Sequence, residues 1–200
     1  EKLVAAINGL RVGVSTDPDA QYGPVVTAMH KQRIESYIQM GVEEGAELVV
    51  DGRGFSLQGH EDGFFLGPTL FDHVTPNMRS YKDEIFGPVL QIVRAKTFED
   101  AIALPSQHQY GNGVSIFTRN GDAAREFADR VEVGMVGVNV PIPVPVSYHS
   151  FGGWKRSGFG DLNQYGMDGI RFYTRTKTVT QRWPRGGATA ENSFLIPTMK

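Results

Sequence analysis

The chain has 200 residues and a nearly balanced charge, with 20 basic and 22 acidic side chains and a formal net charge of −2. Such a chain is not expected to bind nucleic acid, and it lacks the run of about 18 apolar residues that predicts a membrane span. It contains no cysteine, which excludes disulfides, thiolate metal sites and a cysteine nucleophile from these residues. Composition therefore predicts a soluble α/β domain that binds neither nucleic acid nor membrane.

The first third of the chain predicts two helices and a strand. Apolar side chains recur every three or four residues over 1–10 and again over 29–42, which is the spacing of one helical face. The second stripe ends in a glycine-bounded segment at 41–45, and the short run 47–50 then predicts a strand. Glycines punctuate 52–67, so we expect irregular structure there.

The middle of the chain alternates apolar strands with capped helices. Short apolar runs at 89–93, 114–117 and 135–140 predict buried strands, and Thr97 and Asn120 open the helices between them. Strand, helix, strand, helix, strand at these lengths predicts a βαβαβ unit around one parallel sheet. The expected fold class is therefore α/β.

The C-terminal part of the chain predicts a functional loop, an edge strand and a tail. The loop over 141–168 follows the last predicted strand, and ligands bind outside the carboxyl ends of parallel strands. Residues 170–183 alternate threonine with larger side chains, which is a β-type pattern. Because this segment is too poor in apolar residues for the middle of a sheet, we place it at an edge that pairs with another strand. Residues 184–200 form a tail rich in proline and glycine.

Generic motifs leave the chemistry open. A dinucleotide fingerprint needs three glycines, and Gly158 and Gly160 are followed by Asn163 where the third should stand. The five histidines are scattered without metal-ligand spacing, so we expect no metal site. Glu84, just before a buried strand, is either a solvated turn residue or a ribose ligand, because a carboxylate can accept from two adjacent hydroxyls.

Ordered motifs nevertheless resemble the aldehyde dehydrogenase superfamily over nearly the whole chain. Residues 84–88 read Glu-Ile-Phe-Gly-Pro, like the EIFGP motif of that family, and 137–139 resemble its Gly-x-Asn strand end. Residues 150–158 resemble its PFGGxKxSG loop, although Ser150 replaces the usual proline, and 173–179 resemble its YTxxKTV oligomerisation strand. The resemblance implies an aldehyde-dehydrogenase-like catalytic domain with a parallel-sheet βαβαβ core and a C-terminal edge or oligomerisation strand.

The resemblance also implies that this chain is the C-terminal part of a longer enzyme. In the family, the Rossmann domain and the catalytic cysteine precede the region matched here, and the chain starts at Glu1 without an initiator methionine. We therefore expect 1–169 to be part of a catalytic domain, 170–183 an oligomerisation strand and 184–200 a tail. Without the nucleophile the chain alone is expected to be inactive. Its implied partners are the missing N-terminal portion of the same polypeptide and further subunits of a homodimer or homotetramer.

Details of the sequence resemble the CoA-acylating branch of the superfamily, the methylmalonate-semialdehyde dehydrogenases. The proline run at 141–145, the segment 161–165 and the tail over 194–200 carry this likeness. The resemblance implies a cytoplasmic enzyme that uses NAD, with coenzyme A as acyl acceptor, to convert a small semialdehyde to propionyl-CoA or acetyl-CoA with loss of carbon dioxide. A hydrolytic NAD(P)-dependent aldehyde dehydrogenase and a non-catalytic assembly module derived from one are the alternatives.

Carried over position by position, the resemblance implies few site residues. Glu84 matches the carboxylate that holds the nicotinamide ribose, and Phe86 matches the aromatic side chain beside the nicotinamide ring. Phe151 matches a position near the aldehyde tunnel. The implied oligomerisation residues are Phe172, Arg175, Lys177 and Val179. No catalytic residue and no metal ligand is expected within this chain.

Overall fold

The computed structural model describes residues 1–181 and residue 183. Its helices are α1 (Lys2–Asn8), α2 (Ala28–Glu43), α3 (Arg79–Lys82), α4 (Phe98–Gln107), α5 (Gly121–Arg130) and α6 (Gly166–Tyr173). Its strands are β1 (Glu47–Val50), β2 (Thr69–Val74), β3 (Val89–Val93), β4 (Tyr110–Gly111), β5 (Gly113–Ile116), β6 (Met135–Val138) and β7 (Trp154–Lys155). The tail predicted over 184–200 lies outside the described residues. None of the described helices combines the length and the apolarity that a membrane crossing requires.

Local sequence signals determine where the longer helices begin. Thr97 and Asp100 form a capping box at α4, in which each side chain accepts a hydrogen bond from the backbone N–H of the other at 3.1 Å. The Asn120 side chain caps α5 in a similar way, and the Thr27 hydroxyl accepts from the His30 N–H at the start of α2. The helix starts predicted at Thr97 and Asn120 are therefore confirmed.

The described strands form three separate sheets rather than the single parallel sheet that the sequence predicts. β1 pairs antiparallel with β2, and β2 pairs parallel with β3. β5 and β6 form a second, parallel pair, whereas β4 and β7 form a short antiparallel pair. The predicted βαβαβ sheet is wrong because the chain that leaves α4 first enters β4, which pairs with β7, so β5 joins β6 and not β3. The α/β class itself is confirmed.

Two apolar clusters hold the elements together. In the first, Ile34 and Ile38 of α2 lie against Phe71 of β2, and each of the three is at most 1% exposed. Gly41 allows this close approach, because a Cβ there would lie 3.0 Å from the Phe71 ring. The second cluster packs α4 and α5 against β5 and β6 around Phe127. Full burial of one such side chain contributes about 1.5–3 kcal/mol, so the clusters fix how α2 and α4 lie against their strands.

The edge strand predicted over 170–183 is wrong in its first part, which is helical. α6 carries Asp168 in its first turn and Arg171 in its last turn, an arrangement that suits the helix dipole. The Thr174 hydroxyl donates to the Ile170 carbonyl oxygen at 2.7 Å where the helix ends. A strand needs a hydrogen-bonded neighbour, and no described strand pairs with residues 174–181. Residue 182 lies outside the described part of the chain.

Candidate functional site

The turn between α3 and β3 carries two of the predicted site residues. Ile85 is buried in the first apolar cluster, while Glu84 and Phe86 on either side of it are exposed. Phe86 has a φ of +59°, in the left-handed region that costs a non-glycine residue about 1–2 kcal/mol. Gly87 then lies so close to α2 that a Cβ there would stand 2.6 Å from Ile34 Cδ1. The turn therefore presents an acidic and an aromatic side chain at the surface beside α2.

One face of α2 holds this turn through hydrogen bonds. Arg33 Nη2 donates to the carbonyl oxygen of Glu84 at 3.2 Å. The hydroxyl of Tyr37 donates to Asp83 Oδ2 at 3.0 Å. Because Arg33 and Tyr37 are four residues apart, they lie one turn apart on the same helical face. The helix thus fixes two successive residues of the turn.

An open cleft of about 530 Å³ lies between α2 and the turn. Its lining comprises His30, Arg33, Tyr37, Asp83, Glu84, Phe86 and Tyr110. The rings of His30 and Phe86 are stacked with 6.2 Å between their centroids and 28° between their planes. Glu84 is bonded to the described residues through its backbone carbonyl and not through its carboxylate. Its side chain is therefore available to accept hydrogen bonds from a ligand.

A second cavity, of about 390 Å³, lies beside the loop over 150–160. The ring of Phe151 lies nearly parallel to that of Tyr165, with 6° between the planes and 4.3 Å between the centroids. Phe172 of α6 also lines this cavity. Aromatic walls with a few polar neighbours are typical of sites that take small ligands and exclude water.

Side chains of this loop anchor it to α4 and β4. The Lys155 ammonium donates to the carbonyl oxygens of Pro105 and Ser106, at 2.9 Å and 3.0 Å. These carbonyls belong to the C-terminal end of α4, where a cation also interacts favourably with the helix dipole. The Ser157 hydroxyl accepts from the Gly111 backbone N–H at 3.1 Å. The position of the loop is therefore set by the end of α4 and by β4.

The first strand of the β4–β7 pair links the cleft to the cavity. Tyr110 lines the cleft at Glu84, and Asn112, two residues later, lines the cavity at Phe151. His108 holds Tyr110 in place, because its Nδ1 accepts from the Tyr110 backbone N–H at 3.1 Å. The other ring nitrogen then carries the proton and donates to a backbone carbonyl at 2.9 Å. The cleft and the cavity therefore both border on the short segment 110–112.

Glu47, Asp72 and His73 form a group of metal-ligating type elsewhere on the surface, with ligand atoms within 4.8 Å of one another. Arg94 already binds both carboxylate oxygens of Asp72, and its Nε lies 2.9 Å from Oδ1. This hydrogen-bonded pair holds the pKa of Asp72 below its ordinary range. A metal ion would have to displace Arg94, so we interpret the group as a surface ion pair.

The structure brings two predicted site residues together and places the others elsewhere. Glu84 and Phe86 line the same cleft. Phe151 lines the second cavity, and Phe172, expected in an oligomerisation strand, lies there too. The other residues expected to contact a neighbouring subunit are exposed on segment 174–181: Arg175, Lys177 and Val179.

Sequence reasoning missed the cleft residues that come from α2 and β4. His30 and Arg33 lie within the helix predicted over 29–42 but outside its apolar stripe, whereas Tyr37 belongs to that stripe and was expected only to pack. Their spacing of three and four residues was the available signal. Nothing local to Tyr110 indicates its place, because that place depends on the pairing of β4 with β7.

The chain matches a known protein family and is similar to curated proteins of that family. The family model described as "Aldehyde dehydrogenase family" matches residues 1–179. The chain is 58% identical over 198 residues to malonate-semialdehyde dehydrogenase of Pseudomonas aeruginosa, covering 99% of this chain and 40% of that protein. It is 48% identical over 199 residues to a Drosophila melanogaster protein assigned as an acylating, mitochondrial methylmalonate-semialdehyde/malonate-semialdehyde dehydrogenase, covering 99% of this chain and 38% of the relative.

A solved structure shares the fold as well as the sequence. It is a Sinorhizobium meliloti protein assigned as a methylmalonate-semialdehyde dehydrogenase and crystallised with NAD. The match has a TM-score of 0.89 at 64% identity and covers 92% of this chain but 38% of that one. The chain therefore spans about two-fifths of the length of these relatives.

Proposed function

Since this chain belongs to the aldehyde dehydrogenase family, we propose that it is the part of an NAD-dependent semialdehyde dehydrogenase that holds the nicotinamide end of the cofactor. The observation that carries the proposal is the pairing, in one cleft, of the available Glu84 carboxylate with the exposed ring of Phe86. The similarity to a protein crystallised with NAD supports the choice of cofactor.

The residues of the cleft fit a nicotinamide ribose. The two oxygens of a carboxylate can accept charge-assisted hydrogen bonds from two adjacent hydroxyls. The exposed ring of Phe86 offers a flat apolar surface to a flat ring. When bound, NAD supplies the acceptor for the hydride that the aldehyde loses. The contribution of Glu84 and Phe86 is then to hold and orient the cofactor, and no proton transfer is assigned to either residue.

We extend the proposal to a malonate- or methylmalonate-semialdehyde substrate with coenzyme A as the acyl acceptor. The names of the two curated relatives support the semialdehyde substrate. One of those names also includes the word acylating, which supports coenzyme A as the acceptor. In this chain the stacked rings of Phe151 and Tyr165 form an aromatic wall of the second cavity. A wall of this kind limits the access of water to the reacting carbon. Transfer of the acyl group to a thiol is then favoured over hydrolysis of that group.

The proposal also includes the partners of this chain. The cysteine nucleophile and the adenosine side of the cofactor site would come from the rest of a longer polypeptide, because this chain contains no cysteine and spans about two-fifths of its relatives. Segment 174–181 would join a neighbouring subunit in a homodimer or homotetramer, and its exposure without a described partner strand supports this role. A cytoplasmic location stays a prediction.

Our first prediction tests Glu84 in the complete polypeptide that contains this chain. NAD reduction is followed with malonate semialdehyde or methylmalonate semialdehyde, with and without coenzyme A. Glu84→Gln keeps the size of the side chain and removes its charge. We expect the KM for NAD to rise about tenfold, because hydrogen bonds to a charged group contribute about 1.5–3 kcal/mol. Glu61→Gln, which changes an exposed acid in the loop before β2, should leave the KM unchanged.

Three results would change the proposal. Unchanged NAD kinetics in Glu84→Gln would remove that residue from the cofactor site. A free acid product formed at full rate without coenzyme A would favour a hydrolytic aldehyde dehydrogenase over the acylating one. No reduction of NAD by the unmodified polypeptide with either semialdehyde would refute the proposed activity.

A further inference from the structure

The turn over 83–87 needs support from outside to keep its shape. Phe86 lies in the left-handed region, and the residue is 73% exposed, so burial of its side chain offsets little of the backbone strain. Strained residues persist only where the surrounding contacts over-determine them. Here α2 supplies such contacts, with Ile34 against Gly87 and with hydrogen bonds from its neighbouring polar side chains.

Among these contacts, the bond between Tyr37 and Asp83 fixes the residue immediately before Glu84. Tyr37 is half-buried against the first apolar cluster, so its ring is held by packing. Its hydroxyl donates to Asp83 Oδ2 at 3.0 Å. Arg79 approaches the same oxygen at 3.6 Å from a side chain that is 63% exposed, and exposed pairs of that kind contribute little. Tyr37 is therefore the main support of the Asp83 side chain.

We propose that Tyr37 is a positioning residue for the cofactor: through its hydrogen bond to Asp83, it sets the place of the Glu84 carboxylate and thereby the affinity for the nicotinamide ribose. This inference rests on the proposed function of Glu84. The Arg33 bond to the Glu84 carbonyl oxygen acts from the same helical face. The backbone of Glu84 is thus held at its carbonyl and through the residue before it, while its carboxylate stays available.

The second prediction concerns Tyr37→Phe, which removes the hydroxyl and keeps the packed ring. In the complete polypeptide we expect the KM for NAD to rise about fivefold, while kcat at saturating NAD changes by less than about twofold. Tyr22→Phe is the matched control. The half-buried Tyr22 also loses one hydroxyl bond, to the Leu66 carbonyl oxygen at 3.1 Å, but lies outside the cleft. Tyr22→Phe should lower the melting temperature about as much as Tyr37→Phe does, but it should leave the KM for NAD unchanged.

A double-mutant cycle separates positioning from direct contact, since Tyr37 also lines the cleft. If Tyr37 acts through Asp83, Tyr37→Phe should raise the KM no further once Asp83→Ala has removed the acceptor. Asp83→Asn retains an oxygen that can accept the bond, so it should raise the KM for NAD less than Asp83→Ala does. A further fivefold rise in the Asp83→Ala background would indicate direct contact and overturn the inference.

Glu84→Gln in the same series keeps the two proposals distinguishable. If Glu84→Gln raises the KM for NAD and Tyr37→Phe does not, the positioning role is wrong and the proposed function stands. If neither Glu84→Gln nor Tyr37→Phe changes the KM, the proposed function of the cleft fails as well. An equal rise of the KM for NAD in Tyr37→Phe and Tyr22→Phe would mean that general destabilisation causes it, and the positioning role would be wrong.

Discussion

At the scale of single residues, Phe86 combines an unfavourable backbone with an exposed ring. Its φ of +59° costs about 1–2 kcal/mol, and asparagine tolerates that region better than phenylalanine. We predict that Phe86→Asn raises the free energy of unfolding by about 0.5–1 kcal/mol. It should also raise the KM for NAD, because the aromatic surface beside the nicotinamide is lost. Urea unfolding and steady-state kinetics measure the two effects separately.

Phe86→Leu is the control for this prediction. Leucine keeps the backbone strain and removes the ring, so it should weaken NAD binding without a gain in stability. A Phe86→Asn variant that is less stable than the unmodified protein would show that the ring contact with His30 outweighs the strain. In that case Phe86 would be a structural residue as well as a cofactor contact.

The cleft residues that could be predicted from the sequence are those that one short motif contains. Glu84 and Phe86 stand two residues apart, so their presence in one cleft follows from the motif that suggested them. His30 and Tyr37 reach the same cleft from α2. Their contribution depends on how closely Gly87 approaches that helix, and such a long-range contact leaves no local pattern.

At the scale of elements, Lys155 connects the loop over 150–160 to the end of α4. It has a φ of +55°, and its ammonium donates to two carbonyls of the last turn of α4. We predict that Lys155→Met, which keeps the side-chain length, lowers the free energy of unfolding by about 0.5–1 kcal/mol through loss of the helix-terminal cation. Urea unfolding checks this value, and Lys155→Arg should recover part of the loss.

Lys96→Met removes a charge from an exposed lysine in the loop before α4 and serves as the reference. It should have little effect, since surface substitutions away from specific contacts usually stay within about 0.5 kcal/mol. If Lys155→Met and Lys96→Met lower the free energy of unfolding equally, the hydrogen bonds of Lys155 to α4 add no stability. The loop would then be held mainly by the pairing of β4 with β7.

The elements that the sequence predicted correctly are those determined by neighbouring residues. Thr97 and Asp100 satisfy each other's backbone, so the start of α4 is encoded within four residues. β2 escaped prediction because Asp72 and His73 interrupt its apolar run, although most of the strand is buried. The threonine alternation over 170–183 suggested a strand, yet α6 extends to Tyr173 because its charges and apolar side chains also suit a helix.

At the scale of the whole molecule, large apolar side chains are exposed along the second half of the described chain. Ile142 is 71% exposed, Phe159 86% and Tyr173 79%. A contiguous exposed apolar patch marks an interaction site, whereas single exposed apolar side chains are ordinary on a protein surface. Since the chain spans about two-fifths of its relatives, these exposed side chains support the proposal that the rest of a longer polypeptide or a neighbouring subunit packs against this chain.

This interpretation predicts how the 200-residue chain binds the cofactor by itself. Glu84 and Phe86 are proposed to contact the nicotinamide half of NAD, and the adenosine half is proposed to bind the rest of a longer polypeptide. In calorimetric titrations, nicotinamide mononucleotide and NAD should therefore bind with Kd values within about twofold of each other, both near 1 mM. Glu84→Gln should weaken the binding of both about tenfold, and adenosine monophosphate should give no signal. NAD binding about ten times tighter than that of the mononucleotide would show that this chain also holds the adenosine half, and the proposed division of the cofactor site would be wrong.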